Sequence, residues 1–299
     1  MSQSEFRSGF IALIGKPNVG KSTLLNRLVG TKVAITSPKP QTTRRRILGV
    51  RHGPGHQMVF VDTPGFCLAE HVLGKRMLES AQTEGREADV VVLVTDGTHM
   101  PTDEDRRVGE FLAGVQASKL LVVNKVDLVK PKEALLPRIV AYQGLADFEE
   151  VFPLSALEGQ NLDPLVHGLL SRLQLGDPYF PPDQVSDQNQ ELLAEEIIRE
   201  KVLLTTRQEV PHSVAVRLEE FRPGDNPSTW FIRALVYVER EGQKAILVGK
   251  NGATLKKIGS LARVELETLL GKKVFLDLWV KVKPDWRDRT DWLRALGYE

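Results

Sequence analysis

Gly15 to Ser22 read GKPNVGKS, which matches G-x-x-x-x-G-K-[ST] at every fixed position. The chemistry of that spacing is phosphate binding. Gly15 and Gly20 let the stretch Lys16, Pro17, Asn18 and Val19 wrap closely, so that backbone N–H groups and the next helix N-terminus face phosphate oxygens. Lys21 is spaced to reach the β- and γ-phosphates, and the Ser22 hydroxyl to ligate Mg²⁺. Farther on, Asp62, Thr63, Pro64 and Gly65 form a DTPG turn. Its Asp62 would hold the hydration shell of Mg²⁺, and the Gly65 N–H would meet the γ-phosphate.

These residues need strands to hold them, and the sequence supplies them. Residues 10–14, 58–61, 90–94, 120–123 and 151–154 are short, β-branched-rich and almost continuously apolar, as strands buried on both faces are. Helical spacing fills the gaps at 21–29, 73–84, 103–115 and 162–173. The alternation predicts an α/β fold, a mostly parallel sheet with helices on both faces. Residues 44–52 alternate differently and read as an antiparallel edge strand. Every motif then falls at the carboxyl end of a strand, where open α/β sheets bind ligands.

Asn124, Lys125, Val126 and Asp127 spell NKVD after the fourth strand. This resembles the N-K-x-D of translation-factor-like GTPases. There the Asp carboxylate reads guanine by accepting from N1–H and the exocyclic amine, a donor pair adenine lacks. Ser155, Ala156 and Leu157, after the last strand, resemble the loop whose backbone N–H meets guanine O6. The resemblance implies GTP and GDP as ligands and a Thr of the SPKPQTTRRR segment beside Mg²⁺. Thr42 and Thr43 are both candidates for that metal and catalytic position, with Lys21, Asp62 and Gly65 completing the catalytic set. Lys39, Arg44, Arg45 and Arg46 either meet RNA or phosphate or form a solvated edge.

Residues 176–190 break the periodicity with prolines and polar residues and read as a linker between a nucleotide domain, 1–175, and a second domain, 191–299. The second domain reads as helix 191–205, strands 213–221 and 229–239, helices 244–248 and 253–270, strand 273–282 and a short helix near 288–296. Charge is segregated there. From Lys244 to Lys283 there are nine Lys/Arg against three Asp/Glu, whereas Asp177 to Glu241 carries seven against thirteen. The basic stretch centres on Gly249, Lys250, Asn251 and Gly252, a GxxG between two helices. With strands flanking the pair, this is the arrangement that clamps about four nucleotides in KH domains, with Lys256 and Lys257 nearby. Ile246, Val248, Leu255 and Ile258 read as core, with base-facing contacts as the alternative for each. Trp279 alternates within a strand and reads as core too, while Trp230, Trp286 and Trp292 either pack or stack.

The order GKPNVGKS, QTTR, DTPG, NKVD and SAL, followed by VGKNGATLKKIG and KVFLDLWVKVKPDWR, resembles the bacterial Era GTPase family over essentially the whole chain. The resemblance implies a Ras-like P-loop GTPase domain followed by a smaller α+β type II KH domain. It implies slow GTP hydrolysis, binding to the 3′ end of 16S ribosomal RNA, and a role in maturation of the 30S subunit. It also implies a cytoplasmic monomer with peripheral contact at the inner membrane and no DNA partner. Phe66 stands where Ras-type enzymes keep the water-orienting Gln, and the family shares that replacement. Asn18 either braces the loop or holds a K⁺ between the phosphates.

Composition limits the alternatives. Lys plus Arg number 40 against 39 acidic residues, and 41% of residues are apolar, as in ordinary globular proteins. Cys67 is the single cysteine, so no disulfide framework or clustered Cys metal site arises. The histidines show no metal spacing. The start, MSQSEFRSGF, lacks the apolar core of a signal peptide. No run approaches the ~18 apolar residues of a membrane span. The competing function is a GTPase whose second domain docks a protein or the inner membrane surface.

Overall fold

The computed structural model describes residues 6–66, 71–206, 210–226 and 228–298, so Cys67 lies outside the described residues. The chain divides into two compact units, one of residues 1–34, 43–69 and 74–187, the other of 35–42, 70–73 and 188–299.

The first unit contains β1 (Arg7–Ile14), α1 (Lys21–Val29), β2 (Ile47–Gly53), β3 (His56–Asp62) and α2 (Val72–Glu87). It continues with β4 (Val90–Asp96), α3 (Asp103–Ala113), β5 (Ser118–Asn124), α4 (Leu135–Gln143), β6 (Glu150–Pro153), α5 (Leu162–Leu170) and β7 (Gln174–Leu175). The strands lie in the order β2-β3-β1-β4-β5-β6, with the short β7 on the start of β1. Apart from β7, only β2 runs antiparallel, against β3, as the alternation at 44–52 predicts. Parallel strands need both faces covered. Leu24, Leu25 and Leu28 of α1 and Leu165 and Leu169 of α5 cover one face, and Ala81 of α2, Val108 and Leu112 of α3 and Tyr142 of α4 the other. Helix α4 escapes the sequence reading because Pro131 and Pro137 punctuate it. A proline in the first turn removes no intrahelical hydrogen bond.

Residues 176–187, which read as linker, are laid along this unit. The Gln57 side chain accepts from Tyr179 and Phe180 N–H at 2.7 and 3.0 Å. The Val185 carbonyl accepts from Val50 N–H at 2.9 Å, and Asp187 from Leu48 N–H at 3.3 Å. The open edge of β2 is thereby covered.

The second unit contains α6 (Gln190–Thr205), α7 (Val210–Ser213), β8 (Ala215–Pro223), β9 (Thr229–Val238), α8 (Glu241–Val248), α9 (Ala253–Leu270), β10 (Lys273–Val282) and α10 (Thr290–Ala295). Its sheet has the order β10-β9-β8, with β10 parallel and β8 antiparallel to β9. Ile232, Ala234, Val236 and Val238 of β9 pack on Ile197, Ile198 and Val202 of α6 and on Ile258, Ala262 and Leu266 of α9. Ile35 joins that core, and Thr36 N–H donates to Glu200 at 2.8 Å. Trp286 is fully buried, donates Nε1–H to the Ser213 carbonyl at 2.8 Å and stacks on Tyr298. Its removal opens a cavity that the rigid surroundings cannot refill. Trp286→Ala is expected to lower the unfolding free energy by about 3–5 kcal/mol, read by urea denaturation followed by far-UV circular dichroism. A loss under about 1 kcal/mol would mean the indole is not a core anchor.

Candidate functional site

The phosphate loop lies between β1 and α1. A Cβ on Gly15 would sit 2.2 Å from the Val94 carbonyl oxygen, and one on Gly20 2.3 Å from the Asn124 amide nitrogen. Neither position tolerates a side chain, which is why both are glycine. Lys21 turns back over the loop and donates to the Gly15 and Lys16 carbonyls at 2.9 and 3.1 Å. That leaves an ammonium where phosphate oxygens arrive. The Lys16 side chain points elsewhere, to Asp105 at 2.8 Å and Thr102 at 3.2 Å, and so anchors the loop to the start of α3.

Ser22, Thr43 and Asp62 converge beside the loop. The Ser22 hydroxyl donates to Asp62 Oδ2 at 2.5 Å and lies 2.9 Å from Thr43 Oγ1, which lies 3.3 Å from the same carboxylate. Between the two candidate threonines the structure places Thr43 here. The Thr42 hydroxyl is turned away and donates to the Lys39 carbonyl at 2.7 Å, while the Thr42 carbonyl accepts from Arg199. Thr42 therefore does not join the metal cluster. Asp62 is fully buried and its Oδ1 has no hydrogen-bond partner. Burial pushes its carboxyl above the usual range, more than the Lys21 charge and the Ser22 and Thr43 hydroxyls lower it. Two hydroxyls and a carboxylate oxygen form the hard donor set that Mg²⁺ takes. Ser22, Thr43 and Asp62 would hold Mg²⁺ there, and the ion would supply neutralisation of the charge that develops on the phosphates.

Phe66 turns into the core of the unit. Its N–H donates to the Gly15 carbonyl at 3.0 Å, and its ring is buried against Phe111 at 5.4 Å. Gly65 lies close under Pro17, where a Cβ would come within 2.7 Å of that ring. Thr63 donates to the Leu13 carbonyl and ties the DTPG turn to β1. Pro64 carries the chain on to Gly65, whose N–H is the one expected to meet a γ-phosphate. No side chain of the turn offers an amide to orient water.

The base-reading loops meet at Asn124. Its side chain donates to the Val19 carbonyl at 2.8 Å and accepts from Ala156 N–H at 2.9 Å. Lys125, in a left-handed conformation, donates to the Asn18 carbonyl and to Asp96, both at 2.6 Å. Asp127 Oδ1 is buried with no hydrogen-bond partner, the state expected of a carboxylate made to receive donors from a ligand. Val126 N–H and Ser155 N–H are bonded within the loops that frame it.

Sequence reading misses two residues here. Asp96 ends β4 and holds Lys125; burial opposes its ionisation, but hydrogen bonds from Lys125 and Thr98 outweigh that and keep its carboxyl below the usual range. Arg27 of α1 donates to the Ala156 and Leu157 carbonyls and fixes the SAL loop. For Asp96 the available signal is its place at the carboxyl end of a strand; for Arg27 there is none.

In the second unit the GxxG turn joins α8 to α9. Gly249 and Gly252 have φ of 73° and 76°, and Asn251 is left-handed too. Lys250, Asn251, Lys256 and Lys257 are all exposed around the N-terminus of α9. Of the apolar residues read as core, Ile258 is buried, Val248 and Leu255 are half-buried and Ile246 is exposed. A Cβ on Gly259 would touch Leu278 at 3.5 Å, so α9 and β10 come close behind the turn.

Comparison with known proteins gives this geometry a family. Residues 10–125 match the family described as 50S ribosome-binding GTPase, and residues 209–287 match the KH domain. The chain is 48% identical to the GTPase Era of Geobacter metallireducens over 298 residues, covering 100% of both. It belongs to the Era family of GTPases. It is also 46% identical to GTPase Era of Aquifex aeolicus over 296 residues, covering 97% of this chain and 98% of that one. Two solved Era structures superpose with TM-scores of 0.95 and 0.94, each at 45% identity and covering 98% of this chain and 99% of theirs. One is a complex with MgGDPNP and nucleotides 1506–1542 of 16S ribosomal RNA, the other a point variant of Aquifex aeolicus Era bound to GDP.AlF4-. As an Era GTPase, this chain hydrolyses GTP with Mg²⁺.

If Asp127 reads guanine, Asp127→Asn presents a donor where guanine also presents one. GTP affinity is expected to fall on the order of 10⁴-fold while XTP, with a C2 oxygen, becomes a ligand. Competition binding of the two nucleotides measures this, and an unchanged preference for GTP would exclude the role.

Proposed function

We propose that this chain is a nucleotide-controlled RNA-binding GTPase that holds the 3′ region of 16S ribosomal RNA on its GxxG turn and assists 30S subunit maturation. The observation that carries the reading is the pair of positive-φ glycines, Gly249 closing α8 and the left-handed Gly252 opening the 18-residue α9, with exposed lysines around them. N–H groups, helix dipole and ammonium groups there all favour a phosphate backbone. The full-length similarity to an Era bound to 16S ribosomal RNA supports the same partner. Residues 35–42 cluster with the RNA-binding unit and Thr43 with the nucleotide site, so the switch segment spans both. Among the described residues no helix is long and apolar enough to cross a membrane. A contact at the inner membrane, in a cytoplasmic protein, would then be peripheral.

Hydrolysis needs a group to replace the missing glutamine. Asn18 is exposed on the crest of the phosphate loop with φ of 64°, where its amide oxygen can serve a K⁺ between the phosphates. Exchange of K⁺ for Na⁺ at constant ionic strength is expected to slow turnover several-fold, and Asn18→Asp to change that dependence. Equal rates in the two salts would leave Asn18 as a brace.

Gly252 faces open space, so a side chain there meets no protein atom. Asp and Asn both tolerate its left-handed backbone better than other residues. Gly252→Asp is therefore expected to fold and to weaken single-stranded RNA binding by about 1–3 kcal/mol. Gly252→Asn, with the same shape and no charge, should lose less. GTP affinity should stay constant in both, and circular dichroism reports folding. Wild-type RNA affinity in a folded Gly252→Asp protein, with binding to a protein or to anionic vesicles lost instead, would assign the turn to docking.

A further inference from the structure

Helices α6, α8 and α9 pack on one face of the three-stranded sheet, and the other face carries the odd-numbered side chains of β9 and β10. At one end of that face Tyr237 is covered by Trp292 of α10. The rest is open. Phe231 and Phe275 are cross-strand neighbours whose rings stack with centroids 5.6 Å apart and planes 11° from parallel. Arg222, opposite Phe231 on β8, lays its guanidinium 4.7 Å from the Phe231 centroid. Trp279 stands four residues beyond Phe275, roughly 13 Å along the strand. Phe275 is 64% exposed and Trp279 57%, against the core position that alternation assigns to the tryptophan. β10 buries Val274 and half-buries Leu276, Leu278, Val280 and Val282 on the helical side, which turns its odd positions outward.

Two large aromatics held open on a rigid sheet mark a recognition surface. The row between them decides the partner. Arg233 bridges Glu220 at 2.7 Å and Asp277 at 2.9 Å, and Asp277 also accepts the Trp279 Nε1–H at 3.0 Å. A protein partner would have to bury that charged row, at a desolvation penalty. Unpaired bases seated on separate aromatic platforms leave it in water. Exposed rings and a stacked guanidinium are the combination that holds single-stranded nucleic acid, and at the margins Arg222, Lys273 and Lys281 are exposed although paired with Glu220, Glu267 and Glu219.

We propose that this outer sheet face is a second RNA-binding surface, on which unpaired bases stack on Phe275 and Trp279. It lies across the sheet from the Gly249–Gly252 turn, so it takes a different segment of RNA. The inference rests on the reading of the chain as an RNA-binding protein.

The test uses the full chain and a 37-nucleotide RNA of the sequence 1506–1542, with binding read by fluorescence anisotropy. The double variant Phe275→Ala, Trp279→Ala is expected to lose about tenfold or more in affinity while its circular dichroism is unchanged. Trp279→Phe, which keeps a ring, should retain most of the affinity, and bound RNA should shield Trp279 from acrylamide quenching. Wild-type affinity in the double variant, or unaltered quenching of Trp279, would overturn the proposal while leaving the GxxG reading intact. Self-association of the wild type that the double variant abolishes would give the face to a second copy and overturn it as well. A wild-type protein that binds no RNA would overturn both readings together.

Discussion

One side-chain amide holds the nucleotide site together. Asn124 donates to the phosphate loop at Val19, accepts from the SAL loop at Ala156 and leaves room only for hydrogen at Gly20. It is buried, so both bonds act in a low-dielectric setting where a lost partner is costly. Three loops from three strand ends are thereby registered against one another. Lys125 and Asp96 add a second tie between β4, β5 and the phosphate loop. Guanine recognition and phosphate binding therefore share one scaffold rather than two.

Around that scaffold the polar atoms fall into two sorts. Most are spent on one another, such as Lys16 on Asp105 and Thr63 on Leu13. Two buried carboxylate oxygens, on Asp62 and Asp127, are not. They lie in the two loops that the sequence reading assigns to the metal-bound phosphates and to the base. Phe66 follows the opposite logic, since its ring adds to the core between sheet and helices at the expense of any role with water.

The parts legible in the sequence are those where backbone chemistry demands particular residues. Helices α1 and α9 read with the same ends as observed because a glycine of positive φ stands at each end, Gly20 and Gly30 for α1 and Gly252 and Gly271 for α9. What stayed hidden was decided by tertiary packing. Thr42 and Thr43 are chemically alike, and only the path of the chain sends one hydroxyl to Asp62 and the other to the Lys39 carbonyl. Alternation in β10 separates two faces without saying which is inside. The charged Lys273, Asp277 and Lys281 on the Trp279 side were the available sign. Asp96 belongs to no motif, and α4 hides behind its prolines.

The segment of residues 176–187 changes what can be cut from this molecule. Read as a linker, it invites a fragment ending near Leu175. Such a fragment would bare the N–H groups of Leu48 and Val50, now occupied by Asp187 and Val185, and leave a strand edge ready to pair with another chain. A nucleotide domain that stays soluble in isolation has to keep its chain through Asp187.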